Sequence, residues 1–320
     1  MTGAKLAVGL DVGGTNTRAV AFEPDGTIVA DVRRPTDARG AESVIGSTLA
    51  ALGELGSAVG RSPDRFGLVG VGIPGAVDPD GGTVRYAVNL GIDGAPVDLG
   101  ARLTEAVGVP FHIENDVNAG ALGVASLDPD GAAGGLVYLS IGTGIAAGVV
   151  IDGRLWRGHR GLAGEIGHVP VDRSGPACRC GRRGCFEAVA SGTAIARRWP
   201  VATDERGVGE EAGEALFAAA ARGDRAACVI RDEVVGHLAR GIEMLALAYD
   251  VERIVIGGGV AGIGEPLESA LLATLAGAAE SRSVPDLDLA DRVRLAPAGV
   301  PLGAWGAALA ARQAVDGGRS

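Results

Sequence analysis

The sequence predicts an α/β protein built as two similar lobes, and three features carry that expectation. At 320 residues the chain can bury either one large α/β unit or two medium ones. Short apolar runs alternate with segments whose apolar residues recur at helical spacing, the pattern of βαβ units. A hairpin closed by a glycine turn then occurs twice. The first joins residues 6–10 and 18–22 through Asp11-Val12-Gly13-Gly14-Thr15-Asn16-Thr17, and the second joins Leu136–Ile141 and Ile145–Ile151 through Gly142-Thr143-Gly144.

Taken in order, the first hairpin is followed by a helix-period stretch at 41–60 and an apolar run at 67–73 that Pro74-Gly75 closes. Alternating Val109, Phe111 and Ile113 predict a strand ending at Glu114-Asn115-Asp116, with a small-residue helix over 117–125. Asp116 is therefore expected at a strand end beside a helix start. A turn-rich stretch at 128–135 leads into the second hairpin, and a basic, cysteine-rich segment follows it. Helices are expected near 192–198, 210–221 and 226–249. The apolar run 253–256 then meets a third glycine turn, Gly257-Gly258-Gly259, and residues 301–315 read as a closing helix. No low-complexity linker divides the chain, so a boundary near residue 120 rests on the repeated hairpin. The expected first lobe is 1–120 plus 301–320, and the second is 121–300.

Composition narrows the classes of function. The 54 glycines and 3% aromatics point to tight turns and close backbone approaches. A formal charge of −10 opposes nucleic acid and anionic membrane surfaces. Residues 6–10 are too short an apolar run for a signal peptide, and no run is long enough to span a bilayer. A cytoplasmic location is the resulting expectation, with no membrane partner. Of the four cysteines, Cys178, Cys180 and Cys185 cluster while Cys228 stands alone in a helical segment, which favours metal binding over disulfides. Cys228 reads as a small buried residue.

Each of the three glycine turns follows an apolar strand. Each could offer backbone N–H groups to phosphate, or could serve only as an ordinary packing turn. The first is not a Walker A loop, because no Gly-Lys-Ser/Thr occurs. Nor is it a Rossmann fingerprint, because Gly13-Gly14 lies between two strands. Asp11 suits Mg²⁺, usually through water. Asp116 reads either as a helix cap or as a proton acceptor. His168 with Cys178, Cys180 and Cys185 supplies one imidazole and three thiolates, a closed tetrahedral shell for a structural zinc, with Gly181 and Gly184 letting the chain wrap the ion. Surface thiols beside a core histidine are the alternative.

These segments together resemble the ROK family of bacterial sugar kinases and repressors, within the superfamily of actin-like ATPases and hexokinases. The resemblance runs over nearly the whole chain. It is carried by residues 11–16, Glu114-Asn115-Asp116, Ile141-Gly142-Thr143-Gly144, Gly164-Glu165-Ile166-Gly167-His168, the Cys178 to Glu187 stretch and Gly257-Gly258-Gly259. It implies a two-lobed, ribonuclease H-like fold with duplicated βββαβα lobes around a cleft, the last helix returning to the first lobe. By the same resemblance Asp11, Gly13, Gly14, Thr15, Asn16, Gly142, Thr143 and Gly144 hold the ATP phosphates, and Gly257, Gly258 and Gly259 lie against adenosine. Asn115 and Asp116 match the sugar-binding and catalytic pair, with Asp116 taking the proton of the attacking hydroxyl.

Glu165, His168 and Glu187 match the family's sugar contacts, with one ring nitrogen of His168 on zinc and the other toward a sugar hydroxyl. Gly75 and Asn89 match positions that complete the sugar pocket. There the chain departs from many family kinases, reading Leu90-Gly91-Ile92-Asp93-Gly94-Ala95-Pro96 where they carry a Pro-Gly-Trp-like segment. The implied activity is that of a glucokinase using ATP and Mg²⁺, with N-acetylglucosamine, N-acetylmannosamine and fructose as alternative acceptors. The family commonly forms dimers or tetramers, so a homo-oligomer is implied as well. A sugar-responsive regulator is the non-enzyme alternative, and family members of that kind that bind DNA carry a helix-turn-helix ahead of the first glycine turn. The ten residues before Asp11 are too few for one, and no nucleic-acid partner is expected.

Overall fold

A computed structural model of the chain describes residues 6–200, 208–279 and 288–317. Two compact units emerge, one of residues 1–127, 157–162 and 300–320, the other of 128–156 and 163–299.

In the first unit, β1 (Ala7–Val12), β2 (Asn16–Phe22) and β3 (Ile28–Pro35) form an antiparallel meander. Helix α1 (Ala41–Ala58) then crosses to β4 (Val69–Ile73), which pairs parallel to β1. A small hairpin of β5 (Ala76–Asp78) and β6 (Thr83–Arg85) follows, then α2 (Leu99–Val107). Strand β7 (Phe111–Asn115) adds parallel to β4 and runs directly into α3 (Asp116–Leu127). The sheet order is β3-β2-β1-β4-β7. Strands β1 and β4 are almost uniformly buried, as expected for parallel strands covered on both faces.

The second unit repeats this plan. A short α4 (Pro129–Ala133) occupies the stretch that reads as turns, because Asp128 accepts the Ala132 N–H and starts a helical turn. Strands β8 (Leu136–Ile141), β9 (Ile145–Ile151) and β10 (Arg154–Leu155) are again antiparallel. Between them and the next strand lie α5 (Phe186–Ala190), α6 (Gly192–Arg198), α7 (Val208–Ala221) and α8 (Arg225–Tyr249). Ser191 caps α6 through the Ala194 N–H, and Asp224 caps α8 through the Ala227 N–H. Strand β11 (Arg253–Gly257), helix α9 (Glu265–Ala279) and strand β12 (Val293–Leu295) complete a sheet of order β10-β9-β8-β11-β12. A three-strand meander followed by two parallel strands is thus common to both units.

The closing helix α10 (Leu302–Gly317) packs on the first sheet and on α3. It can lie that close because Gly9 and Gly70 interrupt buried strands. A Cβ at Gly9 would collide with the Ala304 carbonyl, and one at Gly70 with the Ala307 carbonyl. Trp305 fixes the helix's rotation, donating from Nε1 to Ser126 Oγ at 2.8 Å and meeting the Phe22 ring at a centroid distance of 4.6 Å. Among the described residues, no helix is long and apolar enough to cross a membrane.

Candidate active site

In the first unit the candidate residues gather where β1, β4 and β7 end. Asp11 registers with Gly72, and Gly72 registers with Glu114, so the three strand ends lie side by side. Binding groups are expected at this edge of a parallel α/β sheet. Asp11 also sits at the start of α10: a Cβ on Gly303 would come within 2.5 Å of its Oδ2. Burial raises the Asp11 pKa above the usual carboxylate range, while Arg18 and Arg33 pull it back down. A carboxylate held against its desolvation cost in a glycine-lined niche is chemically suited to a hard cation such as Mg²⁺. The substitution Gly303→Ala is expected to push Asp11 aside, lowering stability by about 1–3 kcal/mol through overpacking. Thermal melts with and without Mg-ATP will show this as a lower Tm and a smaller ligand-induced rise.

Gly13, Gly14, Thr15 and Asn16 form the tight β1–β2 turn, in which the Gly13 N–H donates to the Asn16 carbonyl at 2.9 Å. Asn89 packs on this turn, its carbonyl 3.0 Å from where a Cβ on Gly14 would stand. Gly75 has φ 107°, in the region that favours glycine, and a Cβ there would press on the Arg85 carbonyl. Its own carbonyl accepts from Asn115 Nδ2 at 3.2 Å. Asn115 in turn caps α3, since its Oδ1 accepts from the N–H groups of Val117 at 3.0 Å and Asn118 at 3.1 Å. The helix cap is thus Asn115, and Asp116 is the first helical residue, half-buried at the strand end. That decides against Asp116 as the principal capping residue of α3.

The second unit builds a matching cluster around its own glycine turn. Gly142, Thr143 and Gly144 close β8 to β9. The start of α6 braces them: the Gly192 N–H donates to the Gly142 carbonyl and Thr193 Oγ1 to the Thr143 carbonyl, both at 2.8 Å. Glu187, in the first turn of α5, lies against the turn and accepts the Ile145 N–H at 3.3 Å. Gly144 makes the room, because a Cβ there would collide with the Glu187 carboxylate. Gly257 ends β11 and Gly258 and Gly259 follow it, and a Cβ on Gly258 would lie 2.5 Å from the Ile141 carbonyl, so this turn adjoins the Gly142 turn.

Glu165 and His168 bracket a single 3₁₀ turn, Ile166–His168, and His168 Nε2 lies 3.8 Å from Glu165 Oε2. Its other nitrogen, Nδ1, is 3.7 Å from Cys178 Sγ. Donor atoms of His168, Cys178 and Cys180 lie within 4.8 Å of one another, and Cys185 Sγ is 3.5 Å from Cys180 Sγ. In a tetrahedral site with Zn–S bonds of about 2.3 Å, sulfurs stand about 3.8 Å apart. The spacing therefore fits a shared ion. The chemistry fits too: the Arg182 N–H brings the Cys180 thiol down to about 7, whereas burial and neighbouring thiols push Cys185 up to about 12. A divalent cation held by these residues would remove that conflict by stabilising all the thiolates together.

Two residues of this region carry no role in the sequence reading. Glu114 is buried beside Asn115, and Arg157 pairs with it from a distant loop. A buried carboxylate requires a cation, but nothing local in the sequence says which one.

Duplicated βββαβα units with a glycine turn at the first hairpin of each define an actin-like ATPase fold. The ROK family profile matches residues 7–314, so the chain belongs to the ROK family. A glucokinase of Thermotoga maritima is 37% identical over 271 residues, covering 81% of this chain and 84% of that protein. Among solved structures, a ROK hexokinase from Thermus thermophilus aligns with a TM-score of 0.76 and 32% identity, over 98% of this chain and 99% of the other. A ROK family glucokinase from Streptomyces griseus, in complex with glucose and AMPPNP, aligns with a TM-score of 0.77 and 29% identity over 96% and 99%.

Proposed function

We propose that this protein transfers the γ-phosphoryl group of ATP to the 6-hydroxyl of D-glucose. The observation that carries this reading is Asp116, an acidic residue at a strand end whose helix is capped by its neighbour Asn115. Asp116 accepts the proton of the attacking hydroxyl, and Asn115, anchored on the Gly75 carbonyl, holds an adjacent sugar hydroxyl. Glu165, Glu187 and His168 Nε2 supply further partners for the sugar, with Gly75 and Asn89 completing its surroundings. The turns Gly13 to Asn16 and Gly142 to Gly144 offer N–H groups to the phosphates, and Gly257 to Gly259 lies against adenosine.

In this reading the first unit holds the base, the first phosphate turn and Asp11, and the second unit holds the other two turns and the cysteine cluster. Asp11 would hold Mg²⁺, which when bound neutralises charge on the phosphates. His168, Cys178, Cys180 and Cys185 would hold zinc, which orders the His168 ring. The segment after Asn89 lacks the Pro-Gly-Trp of many family kinases, a departure that bears on the exact sugar, and the second reading has an N-acetylhexosamine or fructose as the acceptor. A cytoplasmic homo-oligomer is the form we propose, with no nucleic acid or membrane among its partners.

Sugar-dependent ADP release with Mg-ATP, measured across glucose, N-acetylglucosamine, N-acetylmannosamine, mannose and fructose, tests the reading. Glucose is expected to give the highest kcat/KM. Preference for an acetamido sugar keeps the chemistry and changes the acceptor, while no release with any sugar from folded, zinc-loaded protein would reject the kinase.

A further inference from the structure

The chain leaves the second unit after β10 and contributes residues 157–162 to the first before returning. From this strap Arg157 reaches Glu114, whose side chain is 1% exposed. Glu114 Oε2 accepts from Arg157 Nε at 3.0 Å and from Nη2 at 2.5 Å. Its other oxygen, Oε1, accepts from the Asn115 backbone N–H at 3.0 Å and from Asn118 Nδ2 at 3.1 Å. One oxygen thus grips the strap while the other grips the chain on both sides of Asp116.

A fully buried carboxylate is tolerated only when its charge is matched and its lone pairs are used. Four donors occupy the two oxygens here, and the charge is matched by the Arg157 guanidinium. The neighbouring His112, with Nε2 4.0 Å from Glu114 Oε2, is held toward its neutral form by burial. Arg157 suits this place because its planar fork meets one carboxylate through two N–H groups. If Arg157 is lost, the buried anion must move, draw in water or take up a proton. Each response weakens or shifts the bond it accepts from the Asn115 N–H, one peptide away from Asp116.

We propose that Arg157 is a positioning residue for phosphoryl transfer, setting the Asn115–Asp116 segment through its two-pronged bond to Glu114. This rests on Asp116 being the base. Misplacing a reacting group by about 1 Å can cost about 10²-fold in rate, and a displaced Glu114 has this consequence for Asp116.

The test is steady-state kinetics of Arg157→Ala, Arg157→Lys, the double variant Arg157→Ala/Glu114→Gln and, as reference, Asp116→Asn, each with melting temperature and hexose-binding stoichiometry. Arg157→Ala is expected to lower kcat per binding-competent site by about 10- to 100-fold while KM for hexose and ATP stays within about threefold. Arg157→Lys, which keeps the charge without the fork, recovers only part of kcat. The double variant recovers more than Arg157→Ala, because no unmatched anion remains and Gln still accepts the Asn115 N–H. A kcat within about twofold of wild type for Arg157→Ala, while Asp116→Asn is inactive, overturns the proposal and leaves the base in place. So does a loss that disappears once rates are divided by binding-competent sites. An active Asp116→Asn removes instead the reading on which the proposal rests. Should Arg157→Ala fail to fold, Arg157→Lys decides: reduced kcat at unchanged KM supports the role, and full activity overturns it.

Discussion

Asp116→Asn is expected to lower hexose-dependent ADP release by about 10²- to 10⁴-fold, the contribution of a positioned general base. Asparagine keeps the shape of the side chain and one carbonyl oxygen, so the bond from the Val117 N–H to Asp116 Oδ1, 3.0 Å in the native chain, has a counterpart. Helix α3 keeps its cap, because that cap is Asn115. What asparagine cannot do is take a proton from the attacking hydroxyl. The loss should therefore fall on kcat, with hexose affinity by calorimetry within about threefold of wild type, since an interaction made only in the transition state lowers kcat and kcat/KM together. Equal loss of binding would make Asp116 a sugar ligand, and unchanged turnover would remove it from the chemistry. The variant also supplies the zero against which the Arg157 series is measured.

Features that are local in sequence are legible in the sequence itself. The glycine turns, the apolar runs around them and the cysteine spacing all express constraints acting within about a dozen residues. Strand β7 is one such case: alternation at Val109, Phe111 and Ile113 predicts a strand ending at residues 114–116, and the strand pairs with β4 over Phe111–Asn115, with Val109 buried ahead of the ladder. The close seat of α10 was not legible, although buried glycines at Gly9 and Gly70 announce a backbone approaching from somewhere. Nor was it legible which residue caps α3, because Asn115 and Asp116 are both good capping residues and only the hydrogen-bond geometry assigns the cap to Asn115. Arg157 and Glu114 lie 43 residues apart with no periodic relation, so their pairing became visible only once the fold had brought them together.

If, as proposed, His168 serves both the zinc cluster and the hexose, removing zinc is expected to damage hexose binding more than nucleotide binding. Cys185 is the most informative ligand to change: it is fully buried and lies 3.5 Å from Cys180 Sγ. In Cys185→Ala the zinc content per chain should fall well below one, since a closed structural site holds its ion through all four ligands. The loop from Cys178 to Cys185 is short of regular structure, and bound metal is what keeps such a segment folded, so a lower melting temperature is expected. With the ion gone, His168 Nδ1 loses its fixed partner and the ring can turn, which releases Nε2 from its place near Glu165. Loss of an orienting partner of this kind costs about 10- to 100-fold, here expected in hexose affinity. The turns Gly13 to Asn16 and Gly257 to Gly259 are built without the cluster, so KM for ATP should change far less. Metal analysis alongside hexose calorimetry on native, chelator-treated and Cys185→Ala protein makes the comparison. Unchanged hexose affinity in zinc-free, folded protein would separate the two roles of His168 and leave the metal with folding alone.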